Sequence, residues 1–330
     1  MKKKIGHCIK LTTLLSIVLL FSLFASSQTP QRVIFDTDAN NELDDQHAIA
    51  YLLFNQDIFD VVGITTNRTY NGGNIENHTA EAVRMVKLCN SWGQFPVLSG
   101  ADGTYNEIKP QLDETNFDGH EAVNFIIKKA HETAKGKLLL LPVGKITNIA
   151  LALEKDPSII PKVKVYWMGT QIPYSNPEYN QGNDIAAAQA VIATDVELWL
   201  FPADGATGDV GASKKDIYKN MPAKGPYVDP PVQGRDGGYY HYFGDYSVHL
   251  FESVNDDWRS LYDMAAVATV KNPEWAKSYT VTGAHLNDDG AWFYQADIRE
   301  ITYFREYDLD AVMNDFWESM NNPVPEKAYK

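Results

Sequence analysis

The chain has 330 residues, with 29 Lys plus Arg against 43 Asp plus Glu and a formal charge of −14. Nucleic acid is held largely through Lys and Arg contacts that release counterions, and no basic block lies beyond the extreme N-terminus, which argues against a nucleic-acid polymer as partner. With 44% hydrophobic residues, 7 Trp, 18 Tyr and 14 Phe the chain can bury a large core, so wholesale disorder is excluded as well.

In chain order the first feature is a leader. Lys2, Lys3, Lys4 and Lys10 accompany an apolar run from Leu14 to Ala25, and Ala25-Ser26-Ser27 offers small residues for cleavage before Gln28. The run is shorter than the roughly 20 residues that span a bilayer. We therefore expect a signal peptide over residues 1–27, no stable membrane anchor, and a secreted or periplasmic mature chain. Losing the leader removes four lysines and no acid from the −14, leaving −18. Of Cys8 and Cys89 only Cys89 then remains, so no intrachain disulfide can form.

From Arg32 onward short apolar runs alternate with amphipathic segments. Strands are expected at Val33–Phe35, Val61–Ile64, Leu138–Leu141, Val163–Met168 and Leu198–Phe201. Helices are expected at about Asp45–Phe54, Glu76–Leu88, Glu121–Thr133, Thr147–Glu154 and Asp184–Ile192. This alternation predicts an α/β fold, an open, mostly parallel, doubly wound sheet with helices on both faces, as a single domain over residues 28–330. Residues 205–238, rich in Gly, Pro, Lys and Asp, are expected to form a long loop, followed by the aromatic run Tyr239 to Phe243. Beyond it a helix is expected at Asp257–Val270, strands near Tyr279–Thr282 and Ile301–Phe304, and a terminal helix at Leu309–Met320.

In doubly wound sheets ligands sit beyond the carboxyl ends of the strands. After the first strand the chain places Asp36, Asp38, Glu42, Asp44 and Asp45 within ten residues. Helix capping accounts for one or two carboxylates there. Four Asp converging would repel one another unless they shared a cation or protons. An oxygen-only donor set without a Cys/His cluster favours a hard ion, Ca²⁺ or Mg²⁺, over zinc.

This segment resembles the N-terminal signature of the inosine-uridine preferring nucleoside hydrolases, in which a strand ends in Asp-Thr-Asp and an Asp-Asp pair opens the next helix. Here five residues, Ala39 to Leu43, separate the two parts, where familiar members have three. The Asp-x-Asp motif of haloacid dehalogenase-type phosphatases is a competing match that lacks the later Asp-Asp pair. Three further segments follow the hydrolase family's order. Leu141 to Ala150 resembles its strand-to-helix turn ending in Leu-Thr-Asn-Ile-Ala. Glu178-Tyr179-Asn180 with Asp184 resembles its Glu-Phe-Asn segment. Leu261 to Ala268 resembles its late His-Asp-Pro segment.

The resemblance implies that Asp38, Asp45 and Asp263 bind Ca²⁺ with the Val143 carbonyl, and that Asp36 orients the loop. It implies that Asp44, Glu178 and Asn180 hydrogen-bond ribose hydroxyls, with Asn176 and Asn67 as further contacts to sugar or base. Asp38 would take the proton of the attacking water, and inversion at the anomeric carbon follows because no covalent enzyme intermediate is needed. At the position of the family's leaving-group His stands Tyr262, which can donate a hydrogen bond but is a weak acid at neutral pH. His241 or His249 from the aromatic stretch could serve instead, and its rings could stack on a base. The implied activity is Ca²⁺-dependent hydrolysis of the N-glycosidic bond of a nucleoside or related riboside, a small-molecule partner, in a chain compatible with homo-oligomer formation. Two other readings stay open: a same-fold hydrolase of another glycoside, and a non-catalytic periplasmic binder of ribose-containing ligands.

Overall fold

The computed structural model describes residues 29–174, 176–204 and 207–322. The expected signal peptide, residues 1–27, lies outside them. The first half of the described chain runs β1 (Gln31–Thr37), α1 (Asp44–Leu53), β2 (Phe59–Thr66), α2 (Ile75–Leu88), β3 (Val97–Leu98), α3 (Tyr105–Ile108), α4 (His120–Glu132) and β4 (Leu138–Pro142). It continues with α5 (Thr147–Lys155), β5 (Val163–Met168), α6 (Tyr179–Asn183), α7 (Ile185–Ile192) and β6 (Glu197–Phe201). The remainder comprises β7 (Gly211–Ser213), α8 (Lys214–Asn220), β8 (Val232–Gln233), β9 (Tyr239–Tyr240), α9 (Phe243–Glu252), β10 (Trp258–Ser260) and α10 (Tyr262–Lys271). Last come β11 (Lys277–Thr282), β12 (Ala284–Leu286), β13 (Trp292–Tyr294), β14 (Glu300–Arg305) and α11 (Leu309–Asn321).

Eight strands form the central sheet in the order β11-β14-β6-β5-β4-β1-β2-β3. Every pairing in it is parallel except β11 with β14. The all-apolar run of β4 is buried along its whole length, as a strand covered on both faces requires. Alternation along β1 divides the core: Val33 and Phe35 pack with α1, α2, α9 and α10, whereas Ile34 packs with α4, α5 and α7. The expected doubly wound α/β architecture is therefore the observed one.

Two segments differ from expectation. Residues 207–238 are not one loop; Ser213 caps α8 by accepting from the Asp216 amide, and β8 pairs with β9 as a small hairpin. The helix expected from Asp257 begins only at Tyr262, because Trp258–Ser260 pairs antiparallel with Gly211–Ser213. A pairing partner more than forty residues away overrides the local pattern there. Among the described residues no helix is long and apolar enough to cross a membrane.

Candidate active site

The carboxyl ends of β1, β4, β5 and β6 open onto one cavity of about 310 Å³. Its lining includes Asp38 after β1, Val143 after β4, Met168 at the end of β5 and Ala203 after β6. Two helix N-termini complete it. Asp44 and Asp45 occupy the first turn of α1, and Asp263 the first turn of α10, where unpaired backbone N–H groups and the helix dipole favour negative charge. Direct packing of α1 on α10, which share one buried core cluster that includes Ala48, Ala265 and Ala266, brings those termini together. As a result Asp44, Asp45 and Asp263 are all buried and present carboxylate oxygens within 4.8 Å of one another.

Burial governs the electrostatics. It pushes Asp38 up to about 6 and Asp44 up to about 7, with neighbouring carboxylates adding to the rise. Asp45 and Asp263 are driven well above the usual carboxylate range by burial first and then by the charges of Asp38 and Asp44 among others. Glu178 rises to about 7, since burial outweighs the backbone N–H groups of Thr170, Asn180 and Gln181 that donate to it. Such a cluster is stable at neutral pH only if protons or a cation offset its charge. The donors are oxygens, and among the described residues no Cys or His lines the cavity, while Asn41 Oδ1 on the lining and Asn67 Oδ1 beneath it are buried without a protein donor. That donor chemistry fits a hard divalent cation.

Neighbouring polar groups fix these side chains. Thr37 Oγ1 donates to Asp45, and Thr69 Oγ1 donates to Asp38. Asp36 faces away from the cavity and accepts from Thr65 Oγ1, Asn67 Nδ2 and Asn148 Nδ2, which ties β1 to β2 and to the start of α5. Asn180 Nδ2 donates to the Val143 carbonyl at 2.7 Å and to the Met168 carbonyl at 3.1 Å. Gly144 must lack a side chain, since a Cβ there would lie 2.7 Å from both Asp38 Oδ1 and Asn67 Oδ1.

Asp38, Asp44, Asp45, Val143, Glu178, Asn180, Tyr262 and Asp263 all line the cavity. Four other residues singled out from sequence lie elsewhere. Asn67 sits fully buried beneath the lining, spent on Asp36. Asn176 is exposed and outside the lining, although its neighbour Pro177 belongs to it. His241 Nδ1 donates to the Val228 carbonyl and the ring stacks on Tyr227, away from the cavity, and His249 pairs with Asp236. The tight cluster also contains Asp44, which the sequence resemblance implied as a sugar contact, while Asp38 flanks it. Sequence reasoning missed Asn41, Glu42, Asn71, Gln171 and Tyr179 on the lining, and Asn148 behind it. Tyr179 and Asn148 lay inside motifs already singled out, whereas Asn71 and Gln171 carry no local signal.

A family model described as inosine-uridine preferring nucleoside hydrolase matches residues 33–312. The chain is 26% identical over 275 residues to probable uridine nucleosidase 2 of Oryza sativa subsp. japonica, covering 75% of this chain and 76% of that protein. It is 24% identical over 263 residues to the inosine-uridine preferring nucleoside hydrolase of Leishmania major, covering 74% and 80% respectively. Among solved structures, a plant nucleoside hydrolase superposes with a TM-score of 0.70 at 19% identity, covering 89% of this chain and 99% of that one.

Proposed function

The chain belongs to the inosine-uridine preferring nucleoside hydrolase family and is an N-ribohydrolase, and from that premise we propose that it hydrolyses ribonucleosides in a Ca²⁺-dependent reaction giving free base and ribose. The observation that carries the finer reading is the buried carboxylate trio Asp44, Asp45 and Asp263 at the floor of a cavity that also presents Asp38, Glu178 and Asn180. Asp38, Asp45, Asp263 and the Val143 carbonyl would hold the ion, with Asp44 close enough to share it. When bound, Ca²⁺ supplies a fixed positive charge that neutralises the carboxylates and polarises the oxygens around it.

The protein's own groups then divide the work. Asp44, Glu178 and Asn180 orient the ribose by hydrogen bonds to its hydroxyls, which converts binding energy into position. Asp38 accepts a proton from the attacking water as general base. As the glycosidic bond breaks, positive charge grows on the sugar ring, and the ring of carboxylates stabilises that state more than the neutral ground state. The Tyr262 hydroxyl donates a hydrogen bond to the departing base. The leader expected at residues 1–27 supports a secreted or periplasmic site of action. Asp38→Ala tests the assignment: loss of at least about 10²-fold in turnover of the best nucleoside is expected, and wild-type turnover in that variant would remove Asp38 from the chemistry.

A further inference from the structure

A carboxylate works as a base only if its lone pairs face the proton it takes, so the contacts that orient Asp38 matter as much as its charge. Those contacts come from a strap, residues 67–73, that joins β2 to α2 and contributes Asn71 to the cavity lining. Thr69 in it is buried, while the next residue, Tyr70, is 78% exposed. The strap is tied on both sides. On one, Asn40 Nδ2 donates to the Gly72 carbonyl at 2.6 Å, and Gly72, at φ +84°, has no room for a Cβ, which would lie 2.8 Å from the Asn40 carbonyl oxygen. Asn40 belongs to the Ala39 to Leu43 stretch that separates the two acidic motifs. On the other side α6 supplies two acceptors: Asn183 Oδ1 accepts from the Tyr70 amide at 2.7 Å, and the Tyr179 hydroxyl oxygen accepts from the Asn71 amide at 3.0 Å. Tyr179 lines the cavity, and its hydroxyl has Thr69 as a side-chain hydrogen-bond partner. Thr69 Oγ1 in turn donates to Asp38 Oδ2. The family segment that Glu178-Tyr179-Asn180 resembles carries Phe in the middle, and a phenyl ring could line the cavity but could not accept from Asn71.

We propose that Tyr179 is a positioning residue for the hydrolytic reaction: its hydroxyl latches the strap by accepting from the Asn71 amide and orients Asp38 by donating to Thr69 Oγ1. Each hydroxyl in this chain has one proton to give. Thr69 spends its proton on Asp38 Oδ2, so Thr69 Oγ1 is left with lone pairs alone. The Tyr179 oxygen already accepts from Asn71, which turns its own proton away from that amide and toward Thr69. The donors then run one way, from the Asn71 amide through Tyr179 and Thr69 to Asp38, and hydrogen bonds aligned head to tail strengthen one another. With Oδ2 held, the Asp38 carboxylate cannot rotate about its bond to Cβ, and the lone pairs of Oδ1 keep one direction. A Phe at residue 179 would leave the Asn71 amide without this acceptor and Thr69 free to turn away from Asp38.

The inference rests on the functional reading above, and a double-mutant cycle read by kinetics and by amide exchange separates the two. The wild-type protein is compared with Tyr179→Phe, Thr69→Val, Thr69→Ser and the Tyr179→Phe/Thr69→Val double variant on the best-hydrolysed nucleoside. Tyr179→Phe removes one oxygen and keeps the ring. It is expected to lower kcat roughly 3- to 10-fold while moving KM little, as a group acting through the base should. Thr69→Val is expected to lose more, Thr69→Ser to recover most of that loss, and the double variant to lose no more than Thr69→Val alone, since Tyr179 acts only through Thr69. Hydrogen–deuterium exchange followed by mass spectrometry should show the amides of residues 68–73 exchanging several-fold faster in Tyr179→Phe. Unchanged exchange overturns the latch. Losses that multiply in the double variant, or a Tyr179→Phe variant with wild-type kcat, overturn the positioning of Asp38 through Thr69. Wild-type protein that releases no base from any nucleoside overturns the functional reading, and the positioning role falls with it even where exchange shows the strap to be latched.

Discussion

Replacing Asp263 by Asn separates a cation cage from an ordinary acidic patch. Asp263, Asp44 and Asp45 lie within 4.8 Å of one another and are buried. Two unit charges at about that separation repel by roughly 3 kcal/mol in an effective dielectric of about 20, and Asp263 faces two such neighbours. Part of that cost is already relieved by proton uptake, since burial and repulsion raise the proton affinity of all three groups. The isosteric amide should therefore stabilise the cation-free protein by about 1–3 kcal/mol, or a Tm increase of roughly 2–6 °C for a chain of this size. Ca²⁺ at about 100 times its dissociation constant should add about 2.7 kcal/mol to the wild-type protein and far less to the variant. Calorimetry with chelator and with Ca²⁺ reads both effects. A variant that is less stable than wild type in chelator, yet keeps the full Ca²⁺-dependent Tm shift, would refute the idea that these carboxylates form a shared cation site.

Other perturbations probe the supporting structure. Gly144→Ala places a Cβ against Asp38 and Asn67; kcat/KM should fall at least about 10²-fold with an unchanged far-UV spectrum, and wild-type kinetics would show that this close approach is immaterial. Asn148→Ala removes a buried amide that donates to Asp36 and the Thr66 carbonyl and accepts from the Ala101 amide. Chemical denaturation should report a loss of about 2–4 kcal/mol, because the partners are left buried and unpaired. Tyr262→Phe should lower kcat on nucleosides roughly tenfold while moving KM little, the signature of a contact made chiefly in the transition state. Proton NMR of the first ribose released should show inversion at the anomeric carbon, and a glycosyl-enzyme adduct in mass spectrometry would contradict the single-displacement route.

Much of the site was legible in sequence because its chemistry is concentrated at strand ends. Asp36, Asp38, Asp44 and Asp45 follow one apolar strand within ten residues, and both the strand and the helix after it formed where hydrophobic patterning put them. Asp263 was identifiable only through the order of motifs along the chain, as its nearness to Asp44 depends on the packing of α10 against α1. Loop residues fared worse. Asn67 and His241 are of plausible type and lie near the right elements, but chain spacing in a loop does not say which way a side chain turns, and each is spent on a structural hydrogen bond. The Glu42–Arg259 contact could not be read from sequence at all, since it joins residues 217 positions apart through nothing but tertiary placement.

The central claim is that a cation-loaded carboxylate cavity cleaves nucleosides, and the most direct measurement is quantification of free base and ribose released from a nucleoside panel by chelated protein before and after Ca²⁺ is restored. Equimolar base and ribose, absent after chelation and recovered on adding Ca²⁺, are the expected result. Full turnover in the thoroughly chelated protein, or no release from any nucleoside once Ca²⁺ is present, would contradict the account.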